Sequence, residues 1–105
     1  MLKVLLEFRK GVLFARLFGE FNDKDVETFN KEVKEVIITS GIKYVVLNVS
    51  NLRHISKEAI KEIRKLRKTI IKTEGEFFLF GGEIKELKKL VNLENELNVF
   101  ERVMI

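Results

Sequence analysis

Five side chains that could move a proton, hold an anion or accept a phosphate fall within residues 53–58: Arg53, His54, Ser56, Lys57 and Glu58. His54 is the one histidine of the chain and there is no cysteine. Thiolate catalysis, disulfides and zinc–thiolate sites are therefore excluded, and no histidine cluster can hold a metal. A hydrolytic reading would need a nucleophile, a base and a third group to orient the base. Spacing identifies no such third member, and nothing sets two of the scattered carboxylates in one cleft. No catalytic residue, metal or cofactor is expected. What remains is a polar corner that could dock a partner, with Ser56 as the only hydroxyl after Ser50 within that corner on which a phosphate could be placed.

The flanking residues position that corner. Tyr44-Val45-Val46-Leu47-Asn48-Val49 is a nearly unbroken apolar run, short and rich in β-branched residues, which predicts a strand covered on both faces. Residues 50–55, Ser-Asn-Leu-Arg-His-Ile, read as a polar loop. From Ser56 the apolar period shifts from two to near 3.6, with Ala59, Ile63, Leu66 and Ile70 on one stripe and Ile60 at its flank. Ser56 suits an N-cap, its hydroxyl accepting from an unpaired N–H of the first turn, and this role alone would account for it. Glu58 would lie in that first turn, where a negative charge is favoured by about 0.3–1 kcal/mol. The loop thus sits at the carboxyl end of a buried strand, where open α/β sheets carry their sites.

Elsewhere the pattern predicts a hairpin over residues 2–18. Leu2, Val4, Leu6 and Phe8 alternate with Lys3, Leu5 and Glu7 as in a strand near a sheet edge. Arg9-Lys10-Gly11 forms the turn and residues 12–18 the second strand. Gly19-Glu20-Phe21 leaves that strand for a helix capped by Asn22, with Asp23 and Asp25 in its first turn. Val26, Phe29, Val33, Val36 and Ile37 form the helix's stripe and Gly41 ends it. A further covered strand is expected at 76–80. Gly81-Gly82 then leads to a third helix bearing Ile84, Leu87, Leu90 and Val91, and a short closing segment at 99–105. Right-handed crossovers through 12–18, 43–49 and 76–80 would give a mainly parallel mixed β-sheet with packed helices, an α/β fold.

At 105 residues the chain is long enough for one domain with its own core. No apolar run approaches the roughly 20 residues that span a bilayer. The first seven residues are too short and too interrupted by Glu7 for a signal peptide, so a cytoplasmic location is expected. The net charge of +4 is below that of a dedicated nucleic-acid binder. Abundant Lys, Arg and Glu without Cys or Gln fit a thermophile-like surface of mixed ion pairs, against which seven Asn residues weigh.

Two stretches resemble the STAS domain, the fold of bacterial anti-sigma factor antagonists. They are Leu17-Phe18-Gly19-Glu20-Phe21-Asn22, similar to a G-E-L-D-like turn, and Val45-Val46-Leu47-Asn48-Val49-Ser50-Asn51-Leu52, similar to V-V-L-D/N-L-x-x-L. With the order of elements, the resemblance covers nearly the whole chain and implies a single STAS-like domain, 1–105. Its signature loop, roughly M/I-D-S-S-G, falls on Ile55-Ser56-Lys57-Glu58-Ala59. The family's Asp thus falls on Ser56, its two serines on Lys57 and Glu58, and its Gly on Ala59. The second of those serines is commonly phosphorylated by a cognate anti-sigma kinase; Glu58 has no hydroxyl, and the family's Asp before the first helix is here Asn22.

The resemblance implies a non-enzymatic module of transcription regulation whose partner is a kinase-like anti-sigma factor. Asn22, Asp23, Asn51, Arg53, His54, Ser56, Lys57, Glu58 and Lys61 are the expected contact residues, with Ser56 as the candidate phosphorylation site. Glu58 either imitates a modified serine or marks a chain that never used the switch, and a plain favourable residue in the first turn of a helix is the alternative to both. A STAS-like small-molecule module, sensing a nucleotide or a lipid, is the alternative. Nucleic-acid binding could use Lys57, Lys61, Arg64, Lys65, Arg67, Lys68 and Lys72, but the interleaved aromatics that stack bases are missing. The same excess of positive charge could speed docking to an acidic protein surface. Glu58–Lys61 and Glu62–Lys65 stand at helical pairing distance. A monomer or weak dimer with no membrane association is expected.

Overall fold

Lys10 and Gly11 both adopt positive φ (50° and 84°), the two-residue turn whose twist matches the strands it joins. In the computed structural model, which describes residues 1–81, this turn links β1 (Leu2–Arg9) to β2 (Val12–Phe21) in antiparallel register, Arg9 opposite Val12 and Leu2 opposite Gly19. β3 (Tyr44–Ile55) runs parallel to β2, and β4 (Glu76–Phe80) parallel to β3. Among the described residues the strand order is β1-β2-β3-β4, with β1 at an edge as its alternation predicts. Two helical stretches connect the parallel strands: α1 (residues 23–40) and α2 (Lys57–Lys72). The mixed α/β sheet is the expected one. The helix expected after Gly82 and the segment 99–105 lie outside the described residues.

The core lies on one face of the sheet. Leu13, Ala15 and Leu17 of β2, Val45, Leu47 and Val49 of β3, and Phe77 and Leu79 of β4 meet Phe29, Val33 and Ile37 of α1 and Ala59, Ile63, Leu66 and Ile70 of α2. The alternate residues Val12, Val46 and Phe78 form a smaller cluster on the other face, joined by Phe14 and Phe80. The second stripe faces inward as its spacing requires, and so do Phe29, Val33 and Ile37 of the first with Val26 partly buried beside them, whereas Val36 is only half-buried and is not part of the core. Gly41 ends α1 in the left-handed conformation (φ 63°).

Four details depart from the sequence reading. Residues 50–55 are not a loop: β3 continues to Ile55, and β2 continues through Gly19-Glu20 to Phe21 beside it. The extension is hidden because β3 carries two extra residues relative to β2. Arg16 to Phe18 spans Asn48 to Asn51, and Gly19 to Glu20 spans Leu52 to His54. Each bulge breaks the alternation, so Val49, Leu52 and Ile55 all turn to the core at a spacing of three. The first bulge is held by Asn48, whose Oδ1 accepts from the Ser50 N–H (2.9 Å) and hydroxyl (2.6 Å).

Phe8 is 61% exposed, not inward, because it stands beside the hairpin turn at the end of the sheet away from the start of α1. α1 is not uniform: a 3-10 turn at Asp23–Asp25 and a wider π turn at Asn30–Lys34 interrupt it. Arg67, read as part of the exposed face of α2, is partly buried and its Nε has no hydrogen-bond partner.

Candidate functional site

The corner forms where two parallel strands end side by side and each feeds a helix. Phe21 closes β2 and Ile55 closes β3, and the two are neighbours in register. One residue later the Ser56 N–H donates to the Phe21 carbonyl (2.9 Å), which ties the starts of the two helices together. The first turn of α1 also packs against α2. Beneath the corner Phe21 and Phe29 are fully buried with ring centroids 4.9 Å apart, and Leu52 and Ile55 anchor the end of β3. The polar residues between these anchors have only the outside left to them.

Ser56 is the N-cap of α2: its backbone is extended and its Oγ accepts from the Ala59 N–H at 3.1 Å. That hydroxyl is thus engaged, and Ser56 is only partly exposed. Ser56→Ala is expected to cost about 1 kcal/mol, read as a lower urea midpoint at unchanged slope. A change under a few tenths would mean that water caps the helix equally well.

Among the residues expected to contact a partner, Asp23, Arg53, His54, Lys57 and Glu58 are exposed at the corner, and Asn22 is half-buried between β2 and α1. Glu58 lies in the first turn of α2 as its spacing predicts and pairs with Lys61 at 3.2 Å. The parallel pair Glu62–Lys65 forms at 3.3 Å. His54 stands opposite Glu20 in the β2–β3 register. Asn51 is exposed but set back along β3 at the first bulge, opposite Phe18, and Lys61 is a turn along α2. The surface carries both signs: Asp23, Glu20 and Glu58 against Arg53, Lys57 and Lys61. Among the described residues no group of three or more metal-ligating side chains comes together.

Sequence reasoning missed the residue that fixes the start of α1. Asp25 is buried, 6% exposed, with one carboxylate oxygen accepting from the Asn22 N–H (2.9 Å) and the other from the Leu2 N–H (3.3 Å). It therefore joins the end of β2 to the beginning of β1. The Asn22-x-x-Asp25 spacing is that of a capping box and was legible; the bond to Leu2, 23 residues away, was not.

No helix among the described residues is long and apolar enough to cross a membrane. The fold is that of SpoIIAA, an anti-sigma factor antagonist. Its unphosphorylated form superposes with a TM-score of 0.74 at 17% identity, covering 96% of this chain and 97% of that one. The phosphorylated form of the Bacillus protein gives 0.75 at 17% identity, covering 96% and 99%. An anti-sigma factor antagonist from Mycobacterium paratuberculosis gives 0.71 at 16% identity, covering 91% and 82%. In sequence the chain is 27% identical over 92 residues to the ribosomal RNA large subunit methyltransferase E of Brachyspira hyodysenteriae. That match takes in 84% of this chain and 48% of the methyltransferase, so the chain spans about half the length of this curated relative. A family model matches residues 3–104, with the two motifs and the strand-to-helix corner inside it, and the chain belongs to the STAS domain family.

Proposed function

We propose that this chain is a non-enzymatic regulatory module that binds an anti-sigma factor of the kinase-like type through the corner at residues 50–64, and that it does so without the usual phosphorylation switch. The observation that carries this reading is Glu58. It occupies the position that the family resemblance assigns to the phosphorylated serine, and it is exposed in the first turn of α2. Its neighbour Ser56 has its hydroxyl committed to the Ala59 N–H. The likeness to anti-sigma factor antagonists supports the partner class, and the exposed Arg53, His54, Lys57 and Asp23 around Glu58 supply the polar contacts. A cytoplasmic location is part of this proposal, since it is where a partner of this class would be met.

The test uses the purified chain and the kinase-like anti-sigma factor encoded in the same genome. Calorimetric titration is expected to give a complex. Arg53→Glu combined with Lys57→Glu should weaken it by about tenfold or more, as reversal of charges at an interface does. Added ATP should leave the affinity unchanged, and mass spectrometry should find no phosphate on Ser56. Absence of a complex would refute the partner, and stoichiometric phosphate on Ser56 would refute the lost switch.

A further inference from the structure

Among the described residues β1 has β2 as its only strand neighbour, so its other edge presents unpaired backbone groups. Which groups these are follows from the register. Arg9 and Val12 close a two-residue hairpin and exchange hydrogen bonds, so the odd residues Lys3, Leu5, Glu7 and Arg9 address β2. The even residues Val4, Leu6 and Phe8 point their N–H and C=O groups away from it. Leu2 confirms this parity, because its N–H is free of β2 and donates instead to Asp25. The side chains alternate as well. Leu5 is 51% exposed on the outer face with Lys3 and Glu7 on either side, and Phe8 is 61% exposed at the end of the strand.

We propose that β1 is the contact between two copies of this chain, joined antiparallel with Leu5 against Leu5 to make one continuous sheet. Only even residues can pair with even residues across this edge, which leaves three central registers. Val4 opposite Val4 sets Lys3 against Leu5. Leu6 opposite Leu6 sets Lys3 against Arg9, a like-charge pair. Val4 opposite Leu6 alone sets Lys3 of each copy against Glu7 of the other, with Leu5 meeting its own symmetry mate and Phe8 lying opposite Leu2. In that register the Lys3–Glu7 and Leu5–Leu5 positions are the non-hydrogen-bonded ones, where side chains approach closest. Glu7 already accepts from Arg16 (3.0 Å) and Arg9 (3.1 Å), so it is held in place, whereas Lys3 has no ion-pair partner among the described residues. The edge is thus self-complementary about a two-fold axis, as an isologous contact requires. This contact involves none of the corner residues and stands independently of the function proposed above.

Sedimentation equilibrium of the wild-type chain up to about 1 mM is the measurement, because one strand pair is a small interface and its dimer is weak. Leu5→Lys, at an exposed position, is expected to leave the fold intact by circular dichroism and to raise the dimer dissociation constant by roughly tenfold or more. Lys3→Glu alone and Glu7→Lys alone should each be monomeric, since each sets like charges opposite one another. Their equimolar mixture restores both opposite-charge pairs and should dimerise. A wild-type chain that stays monomeric throughout, or a dimer indifferent to Leu5→Lys, overturns the proposal. So does a folded pair of charge variants whose mixture fails to associate.

Discussion

Replacing Phe21 by alanine is expected to destabilise the fold by about 3–5 kcal/mol, the range for removing a large aromatic ring from a close-packed site. Phe21 has no exposed surface, and its ring stands 4.9 Å from that of Phe29, tilted by 38°. Both rings sit beneath the junction where β2 passes into α1, so truncation leaves a cavity between a strand end and a helix, two elements that cannot both move to fill it. The measurement is urea denaturation followed by circular dichroism. For a domain of about 100 residues the same loss corresponds to a fall in melting temperature of very roughly 15–30 °C. The backbone carbonyl of Phe21 still accepts from Ser56 in the variant, so whatever fraction stays folded should keep its corner. A loss below about 1 kcal/mol would show that the site collapses around the missing ring and that the corner is not anchored there.

The same corner separates what a sequence can disclose from what it cannot. The Ser56 cap and the helix behind it were legible because capping and the 3.6-residue stripe are local: hydroxyl, first turn and Ala59, Ile63, Leu66 and Ile70 all lie within sixteen residues. The hairpin was legible for the same reason, with Lys10-Gly11 marking its turn. The end of β3 was not. A strand is recognised by alternation, and two bulges replaced alternation with Val49, Leu52 and Ile55 at a spacing of three, which resembles no regular element. The exposed pairs between those anchors, Ser50-Asn51 and Arg53-His54, gave the segment a loop's composition.

That difference changes how the candidate site is understood. Arg53 and His54 project from a strand hydrogen-bonded to β2, with buried residues on either side, and so are presented at fixed positions. Asn48, which matched the family motif as a sequence letter, has a physical role as the acceptor that stabilises the first bulge. Phe8 was misread for the converse reason. Its alternation is regular, but regularity says which face a side chain points to and not whether anything covers it. The π turn at Asn30–Lys34 has no local signal in the sequence, and nothing in the structure explains it.

Asp25→Ala should be the second severe substitution, at about 2–4 kcal/mol, although it removes only a small side chain. Its two oxygens satisfy two N–H groups from different parts of the chain, Leu2 at the start of β1 and Asn22 at the start of α1. A buried donor left without a partner costs about 1–3 kcal/mol, and hydrogen bonds to a charged acceptor are at the strong end of that scale. Asp25→Asn separates this account from a simple packing effect. The amide fills the same volume but offers one acceptor, and its NH2 must then face an N–H donor. If the hydrogen bonds dominate, Asp25→Asn should lose at least about 1 kcal/mol despite being nearly isosteric. If packing dominates, Asn should be close to wild type and Ala alone should suffer. Amide hydrogen exchange locates the effect: in either variant Leu2 and Asn22 should lose protection before the centre of β2 does, because the bonds removed are theirs. Uniform exchange across the sheet with those two amides still protected would show that another group holds them, and that Asp25 is not the tie between β1 and α1.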